Sequence, residues 1–309
     1  MSKLQSFLPY FSIIQIKVMA SSEYSQSEDQ VRVVLWAPPR SLSTAFERCI
    51  STLYKKHSIH IYHEPFTTAF HLGPERQTMR RQGLLYKLVA TDPKYSYKWV
   101  KEQLEAPFEG KQVVFFKDLG YSLDGHFEYL PEGYKHTFLI RSPKLVLTSM
   151  NNLLLKYPTK VFGLKLGDIL PKGWVYKEMY YLYKHLTDTL GLDVTVIDAE
   201  DLIERPEEML ALYCETTGIP YEEGMITWRP CTEDMHDWKY SKRLMKLNRI
   251  VGQYDRALSS DALGKPSPRV IDISKYPDDC QEAITVSEPY YQKLYEERLR
   301  LPTLHGTVK

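Results

Sequence analysis

Short continuous apolar runs alternate along the chain with stretches whose apolar residues recur every three or four positions. The runs lie at 31–36 (VRVVLW), 58–62 (SIHIY), 111–116 (KQVVFF), 135–140 (KHTFLI) and 192–197 (LDVTVI). Helical periodicity occupies 41–54, 80–90, 97–105, 144–157 behind Pro143, 174–190, 206–217 up to Gly218, and 288–299. Strands without polar alternation are buried on both faces, and strands that alternate with helices form parallel sheets. The pattern predicts an α/β fold of three layers, α/β/α, around a central parallel sheet. Ligands of such sheets bind at the carboxyl ends of the strands. Residues 1–30 read as a flexible leader, and 31–309 as a single α/β domain with an irregular C-terminal extension.

Charged residues punctuate the predicted strand ends. Arg40, Ser41, Ser43 and Thr44 crowd the turn after the first strand, just before a helix. A helix start offers unpaired N–H groups and a positive dipole end, so this turn predicts a phosphate or sulfate cradle. His63-Glu64-Pro65-Phe66 follows the second strand, Lys117-Asp118 the third, and Arg141-Ser142-Pro143 the fourth. Ser149 lies eight residues beyond Arg141, inside the next helical stretch, where both can reach one phosphate. No glycine occurs between residues 31 and 51, which excludes a Walker A loop. His57, His60 and His63 share a β-like stretch and point to different sides, which disfavours a metal site.

Bulk composition narrows the partners. A net charge of +1 over 309 residues gives no global field for nucleic acid or an anionic membrane. No apolar run approaches the roughly 20 residues that span a bilayer, so no stable membrane insertion is expected. Residues 7–18 are apolar but broken by Pro9, Gln15 and Lys17, which disfavours a targeting signal within residues 1–20; Met1 and Met19 are both candidate starts. The 4 cysteines are widely spaced and form no CxxC pair, as expected of reduced thiols in the cytoplasm.

Together, PRSLST (39–44) and RSPKLVLTS (141–149) resemble the two nucleotide-binding signatures of sulfotransferases that use 3'-phosphoadenosine 5'-phosphosulfate (PAPS). The resemblance implies a P-loop NTPase-like scaffold, PAPS as donor, no metal, and a small-molecule acceptor bearing a hydroxyl or amine. It implies that Arg40 takes the place of the basic residue at the bridging oxygen and 5'-phosphate. Ser41 matches the family's serine, and Ser43 and Thr44 its two threonines. Arg141 and Ser149 match the pair on the 3'-phosphate. Leu42 stands where the family has glycine, Ala45 where cytosolic members often carry an adenine-stacking tryptophan, and Ser142 where it has aspartate. A late RKG element is missing; Gly264, Lys265 and Arg269 are loose substitutes. Leu119 occupies the position of a catalytic histidine in cytosolic members, which moves the base to Glu64. Golgi, tyrosyl-protein and bacterial branches use a glutamate in this region.

Beside Tyr62 and Phe66, the Glu64 carboxyl is expected to have a raised pKa, with His63 as the competing base. Lys117 is expected to stabilise the sulfonate, and Asp118 to orient Lys117. The basic residues Lys239, Lys242, Arg243, Lys246 and Arg249 read as a solvated helix face, with a phosphate lid as the alternative. The stretch 67–109 and the C-terminal third are expected to shape the acceptor pocket, and a homodimer is compatible with the sequence. A nucleotide-dependent kinase or NTPase, and a non-catalytic binder of adenosine bisphosphate, are the competing readings.

Overall fold

A computed structural model describes residues 30–75, 90–156, 160, 163–230, 238–264 and 270–302. The leader, the helix predicted over 80–90, Cys231, Lys265 and Arg269 lie outside the described residues. Six described strands form one sheet: β1 Val31–Ala37, β2 Ile59–His63, β3 Val113–Leu119, β4 Lys135–Ile140, β5 Val194–Asp198 and β6 Trp238–Lys239. Their order is β5-β4-β1-β3-β2-β6, and every pairing is parallel. The described helices are α1 Ser43–Ser51, α2 Pro65–Leu72, α3 Tyr97–Glu105, α4 Pro143–Leu154, α5 Leu166–Ile169, α6 Tyr176–Lys184, α7 Ala199–Glu204, α8 Pro206–Thr217, α9 Lys242–Ile250, α10 Asp255–Ser259 and α11 Asp278–Glu296.

The alternation within β1 shows why the strand is apolar throughout. Val34 and Trp36 enter one core, with α2, α3, α4, α6 and α11 over it. Val33, Leu35 and Ala37 enter the other, with α1, α7 and α8 over it. Both faces of the sheet are therefore covered, as expected for crossover connections that place helices on a parallel sheet. The chain leaves β1 for β2 on one side and later crosses to β4 on the other. That reversal opens a crevice at the carboxyl end of β1, and the turn after β1 faces it.

Two elements differ from the periodicity. The third strand runs on through Leu119, so Lys117 and Asp118 lie within β3, paired with His63 of β2 and Trp36 of β1, rather than after it. The last helix begins at Asp278, ten residues before the predicted start at 288, and carries Pro289 in its interior. Among the described residues no helix is long and apolar enough to cross a membrane. Cys49, Cys214 and Cys280 are buried free thiols.

Candidate active site

The turn between β1 and α1 wraps without glycine. Arg40 and Leu42 both take positive φ, 63° and 70°, and Leu42 (ψ 8°) is left-handed at the N-cap of α1. A left-handed leucine costs on the order of 1–2 kcal/mol. Contact of Leu42 with the core under α1 offsets part of that. No side chain caps α1, and Ser43, Thr44 and Ala45 of its first turn line a cavity of about 130 Å³. The first-turn N–H groups and dipole of the helix are thus turned toward that cavity.

Arg40, Lys117, Arg141 and Ser149 line the same cavity. Arg141 donates to the Arg40 carbonyl at 3.0 Å, and Arg40 Nε donates to Ser149 Oγ at 3.2 Å. The two basic–hydroxyl clusters, about a hundred residues apart in sequence, thus form one wall. Burial, then Arg141 and Arg256, pulls the Arg40 guanidinium below its ordinary value. That clustering of cations suits a multiply charged anion. Glu200 holds Arg141 Nε at 2.9 Å, and the Arg141 carbonyl accepts from Tyr176 at 2.5 Å. Ser41 does not join them: it is fully buried, and its hydroxyl closes the turn on the Pro38 carbonyl at 2.8 Å. Phe46 packs edge-on against Tyr213 in the core and does not line the cavity.

Glu64 opens α2 in a left-handed conformation (φ 52°, ψ 52°), and its N–H donates to the Lys117 carbonyl at 2.8 Å, prolonging the β2–β3 ladder. That contact places the Glu64 carboxylate on the Lys117 ammonium, with which it forms a buried ion pair. Its second oxygen accepts from the Tyr254 hydroxyl at 2.5 Å. Burial pushes the Glu64 carboxyl up. Lys117, His63 and the hydrogen bonds from Lys117 and Tyr254 more than offset it, leaving a pKa of about 2. The expected rise is therefore a fall, because the environment of Glu64 is cationic and hydrogen-bonded rather than aromatic. Asp118 does not orient Lys117: its carboxylate accepts from Phe66 N, Thr67 N, Thr67 Oγ1 and Leu119 N.

His63 does not line the cavity. Its Nδ1 lies 2.7 Å from Glu47 of α1, its ring stacks on Trp238, and its Nε2 is 3.9 Å from Glu64. His57 pairs with Glu222 at 2.9 Å and His60 packs against Tyr62 and Phe108, so the three histidines have separate environments. Among the described residues no three His, Cys, Asp or Glu stand in a metal-binding arrangement.

The C-terminal third supplies what the sequence reading missed. Gln253, Tyr254 and Arg256 line the anion cavity, and Arg40 donates to the Gln253 carbonyl. Arg48 of α1 ties this segment down by donating to the Ala257 and Leu258 carbonyls, both at 2.9 Å. In α9, Lys242, Arg243, Lys246 and Arg249 are exposed and absent from the cavity lining, so the solvated-face reading holds for these four; Lys239, also exposed, lies in β6 and not on the helix, and Arg256 is the additional cation.

A second cavity of about 550 Å³ adjoins the first; Pro39, Glu64, Leu119, Gln253 and Tyr254 line both. Thr67, His71 and Leu72 from the stretch 67–109 and Leu244, Leu247 and Val251 from the C-terminal third contribute to its lining. Met150, Leu153 and Leu154 of α4 and Ile169 and Leu170 contribute as well, which the sequence reading did not anticipate.

Comparison with known proteins gives this arrangement its family. The chain is 28% identical over 203 residues to the branched-chain-amino-acid aminotransferase-like protein 2 of Arabidopsis thaliana, covering 64% of this chain and 32% of that protein. It is 26% identical over 202 residues to the like-named protein 1, with the same coverage. The chain thus spans about a third of the length of the curated relatives it matches. Among solved structures, a sulfotransferase from Alicyclobacillus acidocaldarius aligns at 15% identity over 72% of this chain and 93% of that one, with a TM-score of 0.43. Mouse sulfotransferase SULT7A1 complexed with PAP aligns at 14% identity over 89% and 86%, with a TM-score of 0.41. A family model described as the sulfotransferase domain matches residues 31–242, the span from β1 into α9 that carries the anion wall and the Glu64–Lys117 pair, and the chain belongs to that family.

Proposed function

We propose that the protein transfers a sulfonate from PAPS to a hydroxyl or amine of a small-molecule acceptor, with Glu64 as general base. The observation that carries this reading is the meeting of the two cavities at one buried ion pair. The cavity on one side of Glu64–Lys117 is walled by Arg40, Arg141 and Ser149, and the cavity on the other side is apolar.

In this reading Ser43, Thr44 and the first turn of α1 hold the 5'-phosphosulfate, with Arg40 at its phosphate. Arg141 and Ser149 hold the 3'-phosphate, and Arg256 adds a third guanidinium. Ser41 acts through the turn it closes rather than by contact. The donor brings an already activated sulfonate, so charge stabilisation and in-line placement do most of the work. Arg40 also neutralises charge at the bridging oxygen, and Lys117 stabilises the sulfonate. Glu64 accepts the proton of the acceptor as the acceptor oxygen or nitrogen bonds to sulfur. The sulfur–oxygen bond to phosphate breaks, and its electron pair stays on phosphate. A carboxylate with a pKa near 2 is a weak base, but movement of Lys117 toward the developing charge would restore its basicity at that moment. Tyr254 holds the second oxygen and fixes the angle of approach. Glu47 holds the His63 ring beside this pair.

Incubation with radiolabelled PAPS and a set of simple alcohols and amines tests the reading. Labelled product formed without added magnesium supports it. Phosphate transfer from ATP, with none of the sulfonate transferred from PAPS, would overturn it in favour of a kinase.

A further inference from the structure

Beside the Glu64–Lys117 pair, two polar side-chain atoms are buried with no hydrogen-bond partner among the described residues: His63 Nε2 and Glu47 Oε1. His63 ends β2, Glu47 lies in the middle of α1, and both are buried. Glu47 Oε2 stands 2.7 Å from His63 Nδ1, the length of a charge-assisted hydrogen bond. An imidazole that gives its Nδ1–H to a carboxylate keeps a lone pair on Nε2. His63 Nε2 lies 3.9 Å from Glu64 Oε1, the same oxygen that the Lys117 ammonium holds. Trp238 stacks on the ring at 5.2 Å and Tyr254 meets it at a steep angle at 5.1 Å, which fixes its plane. The charged and titratable groups that face the ring are Glu47 from α1, Glu64 at the start of α2, Lys117 from β3, and Tyr240 and Tyr254. Thr68, Ser241, Leu244, Met245 and Asn248 add no charge.

Resting on the proposed transfer, we propose that the Glu47–His63 pair is the proton sink of the site: Glu64 takes the acceptor's proton and passes it to His63 Nε2. As Lys117 moves to the sulfonate, Glu64 Oε1 loses its partner. Oε1 takes the proton of the acceptor, whose O–H bond breaks as its oxygen bonds to sulfur. The new O–H bond of Glu64 then breaks, its electron pair stays on Oε1, and an N–H bond forms at His63 Nε2. An approach of about 1 Å brings the two atoms within hydrogen-bond reach. The resulting imidazolium is paired with the Glu47 carboxylate, and Glu64 is again an anion for Lys117. Loss of the proton from His63 between turnovers resets the pair. A carboxyl held at about 2 stores a proton badly, and an imidazole holds it more firmly. His63 lines neither the anion cavity nor the apolar one, so it acts through Glu64 and does not meet the acceptor. A histidine that served packing alone would be held as well by a backbone carbonyl, without the cost of a fully buried carboxylate that has one oxygen unpartnered.

Transfer from radiolabelled PAPS to a set of simple alcohols, followed against pH, tests the relay. In the wild type kcat is expected to fall toward acid, as solvent protonates His63 and closes it to Glu64. His63→Asn keeps an N–H for Glu47 but has no base at the Nε2 position. It is expected to bind adenosine 3',5'-bisphosphate (PAP) as the wild type does and to keep KM within about twofold, while kcat falls about tenfold to a hundredfold and the acid limb disappears. Glu47→Gln keeps an acceptor for Nδ1 but not the charge, so the limb is expected to move to lower pH with a smaller loss of kcat. NMR of the wild-type PAP complex with isotope-labelled histidine reads the resting proton without any variant, and on the alkaline side of the limb it is expected on Nδ1 of His63, with Nε2 bare. A proton on Nε2 alone overturns the relay. So does a wild-type kcat and pH profile in His63→Asn, or an unmoved limb in Glu47→Gln. Failure of the wild type to bind PAP in calorimetry, or to label any of the alcohols, overturns the transfer reading beneath instead.

Discussion

The Asp118 carboxylate accepts hydrogen bonds from the backbone N–H groups of Phe66 and Thr67, at 2.5 and 3.0 Å, doing for α2 what the side chain of its N-cap residue, Glu64, would ordinarily do. The neighbouring strand, β3, thus caps the helix that follows β2. The N-cap carboxylate is released from that duty and turns to Lys117 and Tyr254. Capping in trans is the local device that makes a charged side chain at a helix start available for chemistry.

Replacing Asp118 therefore acts on both stability and transfer. Asp118→Ala removes the side-chain acceptor of three buried N–H groups, those of Phe66, Thr67 and Leu119, and is expected to cost about 2–4 kcal/mol. It also frees Glu64 to swing back and cap α2, so kcat is expected to fall at least tenfold while PAP affinity holds. Denaturant unfolding and turnover measured on the same protein check this. Full activity in a destabilised variant would separate Asp118 from Glu64.

Leu42 offers a test of backbone strain. At φ 70° its left-handed conformation costs energy that its partial burial only partly returns, so Leu42→Gly is expected to stay within about 1 kcal/mol of the wild type. Leu42→Ile keeps the carbon count but puts a β-branched residue where it fits worst, with an expected loss of more than about 1 kcal/mol. Thermal or denaturant unfolding ranks the three. Isoleucine as stable as leucine would mean that the turn does not hold this conformation.

Glu200 competes for Arg141. The 2.9 Å contact neutralises the guanidinium that the 3'-phosphate would use. Glu200→Gln is expected to tighten PAP binding about threefold to tenfold, with the gain shrinking as salt rises. Weaker binding would instead make Glu200 a positioning group that holds Arg141 in place.

The buried histidines set the acid limb of stability. Burial holds His136 and His71 at about 4, below the ordinary 6.5, so the folded state takes up fewer protons than the unfolded one between those values. Their contribution is fully present above pH 6.5 and is lost as pH falls toward 4. Glu64, drawn down from 4.5 to about 2, contributes stability above pH 4.5 that is lost as pH falls through 2. Unfolding free energy is thus expected to fall in two stages on acidification. His136→Gln, which keeps an acceptor for Trp36 Nε1 at 3.1 Å, is expected to flatten the first stage by on the order of 2–3 kcal/mol. An unchanged slope would contradict neutral burial of His136.

Much of this was legible in the sequence where it depends on neighbours in the chain. Five strand positions follow from uninterrupted apolar runs, and α3 and α8 begin and end where periodicity and Gly218 place them. Trp238–Lys239 was not visible as a strand, since two residues carry no pattern. The first half of α11 was hidden because Pro289 interrupts its periodicity. The clustering of Arg40 with Arg141 followed from strand ends sharing one edge of a parallel sheet. The lowered pKa of Glu64 did not, because the Lys117 ammonium that does most to lower it reaches Glu64 only across the β2–β3 pairing, and Tyr254, whose hydroxyl adds to it, lies 190 residues away. Glu47, Glu200 and Arg256 escaped for the same reason: each acts through a partner that only the fold brings near.

Calorimetric titration with adenosine 3',5'-bisphosphate and with AMP, on the wild type and on Arg141→Ala, bears most directly on the proposal that Arg40 and Arg141 grip one nucleotide together. Binding of the bisphosphate at least tenfold tighter than AMP in the wild type, with that preference lost in Arg141→Ala, is the predicted result. Equal affinity for the two nucleotides in the wild type would contradict it.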